Sequence, residues 1–319
     1  MKSILFIGEC MVELQRTDAA ALSAAPSATQ PVMSYRFGGD TLNAAVYFSR
    51  LIDHTQFAPA YVSATGSDSF SVEMRAMWEH ERIDARWVQC LPDKLPGVYL
   101  IETDAGGERN FHFWRNDSAA RYWLQAPGRA AVCAALVDAD YIYLSGISLA
   151  ILTQQDRETL FKILADCRKN GGKIIFDNNY RPLLWHSPAV AAAAYQAVLQ
   201  LSDIALLTLD DETLLHGSAS IEQVVARTVA LGVGEVVIKR GALSCIVRAG
   251  AIYSEVSPNR VSVVVDTTAA GDSFGAAYIA ARLSGKDPVD AAHAGHRLAA
   301  AVIQQRGAII SNDAMPKID

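Results

Sequence analysis

The chain has 319 residues, 51% of them apolar and 19% charged, with a net charge of −6. That length and composition suit a compact α/β enzyme with a sizeable core and exclude a disordered or coiled-coil chain. The negative charge argues against a general nucleic-acid binder, and with no apolar run of membrane-spanning length and no leader-like start, neither nucleic acid nor a membrane is an expected partner.

In chain order, Ile4–Gly8 reads as the first strand. Met11–Arg16 with Val32–Phe37, and Gly97–Glu102 with Asn110–Trp114, read as two antiparallel pairs without intervening helices. Between the first two lies Ala19–Ala28, broken by Ser23 and Pro26, which reads as a surface loop. The remainder alternates short apolar strands with helical patterns. The strands are Ala60–Ala64, Tyr141–Ser145, Lys173–Asp177, Ile204–Thr208 and Glu235–Lys239; the helices include Thr41–Leu51, Gln155–Asn170 and Ile221–Leu231. This rhythm predicts a doubly wound, mostly parallel sheet flanked by helices, with ligands at the carboxyl ends of its strands, and a small sheet standing off it. The five cysteines (Cys10, Cys90, Cys133, Cys167, Cys245) form no Cys-x-x-Cys pair, as expected of reduced thiols in a cytoplasm.

The most informative stretch is Val265 to Gly275. A strand end at Val261–Val265 leads into a turn of small residues and then a helix with Phe274, Ala277, Tyr278 and Ala281 on one face. Ala269, Ala270 and Gly271, with the N–H of Asp272, would aim free backbone donors at one space, an anion hole at the positive end of a helix dipole. Asp272 at the same spot is either a base that takes a proton from a hydroxyl attacking a bound phosphate, or a residue that caps the helix. These residues alone leave both readings open.

Asp266-Thr267-Thr268-Ala269-Ala270-Gly271-Asp272 resembles the carboxy-terminal signature of the ribokinase-like (PfkB) sugar kinases, roughly Asp-Thr-x-Gly-Ala-Gly-Asp. A second family motif, Gly38-Gly39-Asp40-Thr41-Leu42-Asn43-Ala44-Ala45, stands in the expected order, and the resemblance spans nearly the whole chain. Gly8-Glu9-Cys10-Met11, Phe176 to Pro182, Thr208 to Glu212 and Gln304 to Ile310 are most similar to the members that phosphorylate 2-keto-3-deoxygluconate.

The resemblance implies one ribokinase-like domain over residues 1–319, a β-sheet lid over the sugar, and ATP-dependent phosphorylation of the terminal hydroxyl of that sugar acid with Mg²⁺. A monovalent cation such as K⁺ near the Asp266 loop, and a homodimer through the lid, follow by the same analogy. Asp272 is then the catalytic base, Ala269, Ala270 and Gly271 the anion hole, and Arg181 the bridge between sugar acid and phosphates. Gly39, Asn43, Tyr99, Trp114 and Arg115 face the sugar, with Arg109 also on the lid. Arg115 is expected to read the carboxylate through a planar guanidinium. Asn179, Lys239, Gly241 and His296 fall on the nucleotide side, and Glu212 holds the metal through water. Many relatives have Gly where this chain has Ala269, which suits the loop if its φ is negative. A kinase for fructose, ribose or a nucleoside, and a non-catalytic sugar-binding regulator of the same fold, remain the alternatives.

Overall fold

The computed structural model describes residues 1–17, 32–103 and 109–317; the loop expected at Ala19–Ala28 lies outside them. Among the described residues the main sheet has nine strands in the order β13-β12-β11-β10-β9-β8-β1-β4-β5. They are β1 (Lys2–Ile7), β4 (Phe57–Thr65), β5 (Val88–Cys90), β8 (Tyr141–Ser145), β9 (Lys173–Asp177), β10 (Ile204–Thr208), β11 (Glu235–Lys239), β12 (Cys245–Ala249) and β13 (Ile252–Val256). From β5 to β11 all neighbours run parallel; β12 and β13 close one edge as an antiparallel hairpin.

Strands buried on both faces read as near-continuous apolar runs, which is why the central ones are visible in the sequence. Alternate side chains serve two cores. Leu5, Ile7, Ile142, Leu144, Ile174, Phe176 and Leu207 face one layer, against α3 (Arg129–Val137), α4 (Gly146–Ala150), α5 (Gln154–Lys169), α6 (Pro188–Leu199), α7 (Leu209–His216) and α8 (Ile221–Ala230). Ile4, Phe6, Tyr61, Tyr143, Ile175, Leu206 and Val237 face the other, against α1 (Asp40–Leu51), α2 (Ser69–His80), α9 (Ala270–Leu283) and α10 (Pro288–Val302).

A second sheet has the order β3-β2-β6-β7, from β2 (Met11–Thr17), β3 (Val32–Gly38), β6 (Gly97–Thr103) and β7 (Arg109–Trp114). Its two hairpins are antiparallel, as expected, and are joined by a parallel β2–β6 pairing that the sequence pattern does not show.

One expected strand is absent. Val261–Val265 is irregular, with Val263, Val264 and Val265 exposed and the N–H groups of Val265 and Asp266 both donating to Ile303 O at 2.8 and 3.1 Å. The β-branched run has strand propensity but no strand edge beside it, because the hairpin β12–β13 already closes the sheet.

Candidate active site

The topology itself selects a rim. The chain leaves β1 for β4 on one side and later returns to β8 on the other, so the carboxyl ends of β1 and β8 flank a switch point where a crevice opens. Glu9 follows β1, Asp177 closes β9, Thr208 closes β10 and Lys239 closes β11, all on this rim.

Helix α9 starts there. Its cap residue is Ala269, at φ 59° and ψ 15°, and no side chain caps it. This corrects two expectations. The loop does demand a left-handed residue, so the alanine is strained where a glycine would not be. Asp272, within the first turn, does not cap the helix, which removes the capping reading. The N–H of Ala270 turns back to Thr267 O at 3.2 Å, while Gly271 and Asp272 belong to the first turn, whose N–H groups have no intrahelical acceptor. A Cβ on Gly271 would lie 3.6 Å from Lys239 Nζ, so a buried ammonium stands beneath this turn.

Asp272 Oδ2 accepts from Asn43 Nδ2 at 2.8 Å. Burial, then the charge of Asp40, raise its pKa to about 7, with Asp177 adding to the rise and Asn43 and Lys239 opposing it. Such a carboxyl is near the ideal strength for a base at neutral pH. Asn43, 4% exposed, keeps Oδ1 without a protein partner. One of its two N–H donors goes to Asp272, which leaves the other and Oδ1 for a sugar hydroxyl. Gly39, at φ 155°, precedes α1, and a Cβ there would fall 2.2 Å from Glu9 O.

On the lid, Tyr99 is buried and its hydroxyl donates to Glu13. Its cross-strand neighbour is Phe113, with ring centroids 5.7 Å apart, whereas Trp114 pairs with Val98 on the opposite face and is 60% exposed. The aromatic sharing the Tyr99 face is therefore Phe113; the pairing register, invisible in the sequence, decides it. Arg115 is neither free nor solvated. It is buried and ion-paired with Glu9, also buried, leaving Arg115 Nε and Glu9 Oε1 without partners. The side chain of Arg109 lies outside the described residues.

On the other side, Lys239 Nζ donates to Asp177 Oδ2 at 2.7 Å, both side chains being buried. Asp177 is thus the lysine's partner. Arg181, half exposed, is held instead by Asp211, 3.4 Å away, whose carboxyl is raised chiefly by burial. Asn179, at φ 24°, gives Nδ2 to Asp40 at 2.6 Å. Gly241 sits at φ 58° with open space where a Cβ would be, so the turn, not crowding, requires glycine. His296 is buried edge-on against Phe274, 5.0 Å between centroids, with Nε2 3.0 Å from Val256 O; its surroundings are those of a packing residue, not a nucleotide contact.

Glu212 is 3% exposed, with one oxygen accepting from Asn178 at 3.0 Å and the other from Arg227 at 2.6 Å. A carboxylate occupied on both oxygens does not suit direct metal ligation, and among the described residues no group of three or more His, Cys, Asp or Glu could hold an ion. The protein alone builds no metal cage here. Magnesium, which keeps its waters and rides on phosphates, does not need one.

Residues 1–315 match the pfkB family carbohydrate kinases. The chain belongs to this family. It is 51% identical over 318 residues to the 2-dehydro-3-deoxygluconokinase of Dickeya dadantii and 49% identical to that of Escherichia coli K12, covering 99% of each chain in both cases. A fructokinase of Vibrio alginolyticus is 24% identical over 275 residues, 86% of this chain and 82% of that one. Among solved structures, an Escherichia coli protein in complex with ATP and Mg²⁺ superposes with a TM-score of 0.82 at 23% identity, over 100% of this chain and 97% of that one, which shows the shared fold. For this family member the doubly wound sheet with its small second sheet is the ribokinase-like architecture. No helix among the described residues is long and apolar enough to cross a membrane.

Proposed function

We propose that the protein transfers the γ-phosphoryl group of ATP to the terminal hydroxyl of 2-keto-3-deoxygluconate. The observation that carries this reading is the coincidence, at one helix start, of unpaired backbone N–H groups and a carboxyl raised to about 7. Phosphoryl transfer asks for placement and charge stabilisation. Asp272 takes the hydroxyl proton, the α9 turn receives the developing negative charge, and Asn43 Oδ1 accepts from a sugar hydroxyl. Lys239 lends positive potential from below, and Arg181 offers its guanidinium to the phosphates from the rim. Leu243, in the loop after β11, and Val263 to Val265, in the segment that leads into the turn, are exposed apolar side chains that suit the adenine. When bound with ATP, Mg²⁺ neutralises charge on the phosphates. A monovalent cation near Asp266 belongs to the same proposal.

The acid group of the sugar is read through Arg115 Nε, the buried donor left over from the Glu9 pair. Because Glu9 already balances this arginine, a neutral sugar leaves no naked charge under the lid. Discrimination then amounts to one charge-assisted hydrogen bond, roughly ten- to a hundredfold in kcat/KM. The exposed lid aromatics Tyr35, Phe111, Phe113 and Trp114 support a homodimer through the lid. The free cysteines and the substrates of a metabolic kinase support a cytoplasmic setting.

A coupled assay of ATP consumption with keto-deoxy-gluconate, fructose, ribose and adenosine tests the reading. Keto-deoxy-gluconate should be used with the highest kcat/KM. Equal efficiency on fructose would overturn the acid-sugar assignment, and no turnover on any would return the protein to the class of sugar-binding regulators.

A further inference from the structure

Asp40 stands inside the Gly38–Asn43 motif, yet nothing above gives it a part in the reaction. It opens α1 three residues before Asn43, so the two side chains leave the same face of the first turn. Asn43 touches the base directly, at 2.8 Å. Asp40 Oδ2 is pinned by Asn179 Nδ2 at 2.6 Å, and the Asn179 N–H is in turn held by Asn178 Oδ1 at 2.9 Å. Two amides thus fix Asp40 on the helix turn whose Asn43 holds the base.

The charged and titratable groups facing Asp272 come from five elements. Asp40 and Tyr47 lie on α1, Asp177 on β9, Lys239 on β11, Tyr143 on β8 and Tyr99 on the lid strand β6. The three tyrosines are pushed upward, chiefly by burial, and stay neutral. Lys239 is matched to Asp177. Asp40, whose partner Asn179 is a neutral amide, is the carboxylate left uncompensated.

We propose that Asp40 is a positioning residue for phosphoryl transfer: a carboxylate held by Asn179 on the same first turn of α1 that presents Asn43 to Asp272, where it assists the passage of the sugar hydroxyl's proton to the base. The reasoning is that of any close pair of carboxylates, where ionisation of one disfavours ionisation of the other. It rests on the reading of Asp272 as the base. Burial is the larger influence on that carboxyl, and Asp40 the largest among the charges.

The test is the pH profile of kcat/KM for keto-deoxy-gluconate at saturating Mg·ATP, in the wild type, Asp40→Asn, Asp40→Ser and Asp40→Glu, with Asp272→Asn as reference. The midpoint of the acid limb should move down by about half to one pH unit in the Asn and Ser variants. Their plateau rate should fall roughly three- to tenfold, since a weaker base remains. Asp40→Glu, which keeps the charge, should stay near the wild-type midpoint. An unmoved midpoint in both neutral variants would leave Asp40 as a mere tie to Asn179 and overturn the proposal. Loss of the folded circular-dichroism signal in both would assign Asp40 to the fold and overturn it equally. Full turnover by Asp272→Asn would bring down the base assignment itself, whereas an inactive Asp272→Asn beside an unmoved limb sinks only the role of Asp40.

Discussion

The two ends of α9 have been built to opposite rules. At its carboxyl end everything is paired: Arg282 reaches Glu235 through Nε and Nη2, both at 2.8 Å, and Tyr278 adds its hydroxyl to the same carboxylate at 2.7 Å. At its amino end the cap residue is strained, the helix has no side-chain cap, and Asp272 is a carboxyl made reluctant to ionise. One end clamps the helix to the start of β11, and that clamp lets the other end hold an arrangement no isolated helix would keep. Strain and unsatisfied donors at the amino end are what an incoming phosphoryl group and hydroxyl can use.

Breaking the functional end should have the largest effect. Asp272→Asn is expected to lower kcat by roughly 10²- to 10⁴-fold while ATP binding, followed by calorimetry, persists. The same variant sharpens the contrast through stability. Asp272 is raised from 3.8 to about 7 in the fold, so the folded protein holds the proton more tightly than the unfolded chain. Its ionisation therefore costs stability, which should decline as pH rises from about 4 to 7 and level off above that. Asp272→Asn should remove this slope, raising Tm more at pH 8 than at pH 5. An identical Tm difference at both pH values would show that the carboxyl is not raised.

At the clamped end the consequence is structural. Arg282→Met should cost about 2 kcal/mol, because Glu235 is left with only the Tyr278 hydroxyl; Arg282 is part-exposed, which keeps the value at the lower part of the range for charged partners. KM for ATP should be unchanged in denaturant-stable conditions, and a rise in KM without loss of Tm would mean the two ends are not separable. The smallest effect is expected from Ala269→Gly. Relief of the left-handed alanine, about 1–2 kcal/mol, is partly offset by the freedom glycine gains in the unfolded chain, leaving a stabilisation of up to about 1 kcal/mol. A loss of stability would place the strain elsewhere.

Much of this molecule is decided locally. The buried parallel strands announce themselves as apolar runs, the lid hairpins as β-rich segments without helices, and the α9 turn as small residues before an amphipathic helix. The two motifs, read together, were enough to place Asp272, Asn43 and Gly39 at one site. What local pattern cannot contain is who pairs with whom across the fold. Glu9 and Arg115 are 106 residues apart, Asp177 and Lys239 are 62 apart, and Asp40 and Asn179 are 139 apart; the second pair meets because parallel β9 and β11 end on one rim, and the other two because the chain leaving the small sheet after β7 and after β3 comes down onto that rim. The register of β6 on β7 put Phe113 rather than Trp114 beside Tyr99, since a shift of one residue exchanges the faces. Charge tells the same story. The residue types of Asp272, Arg115 and Glu212 were legible from the sequence, but their states were not: burial and a neighbouring carboxylate raised the pKa of the first, and distant partners tied the second to Glu9 and occupied both oxygens of the third.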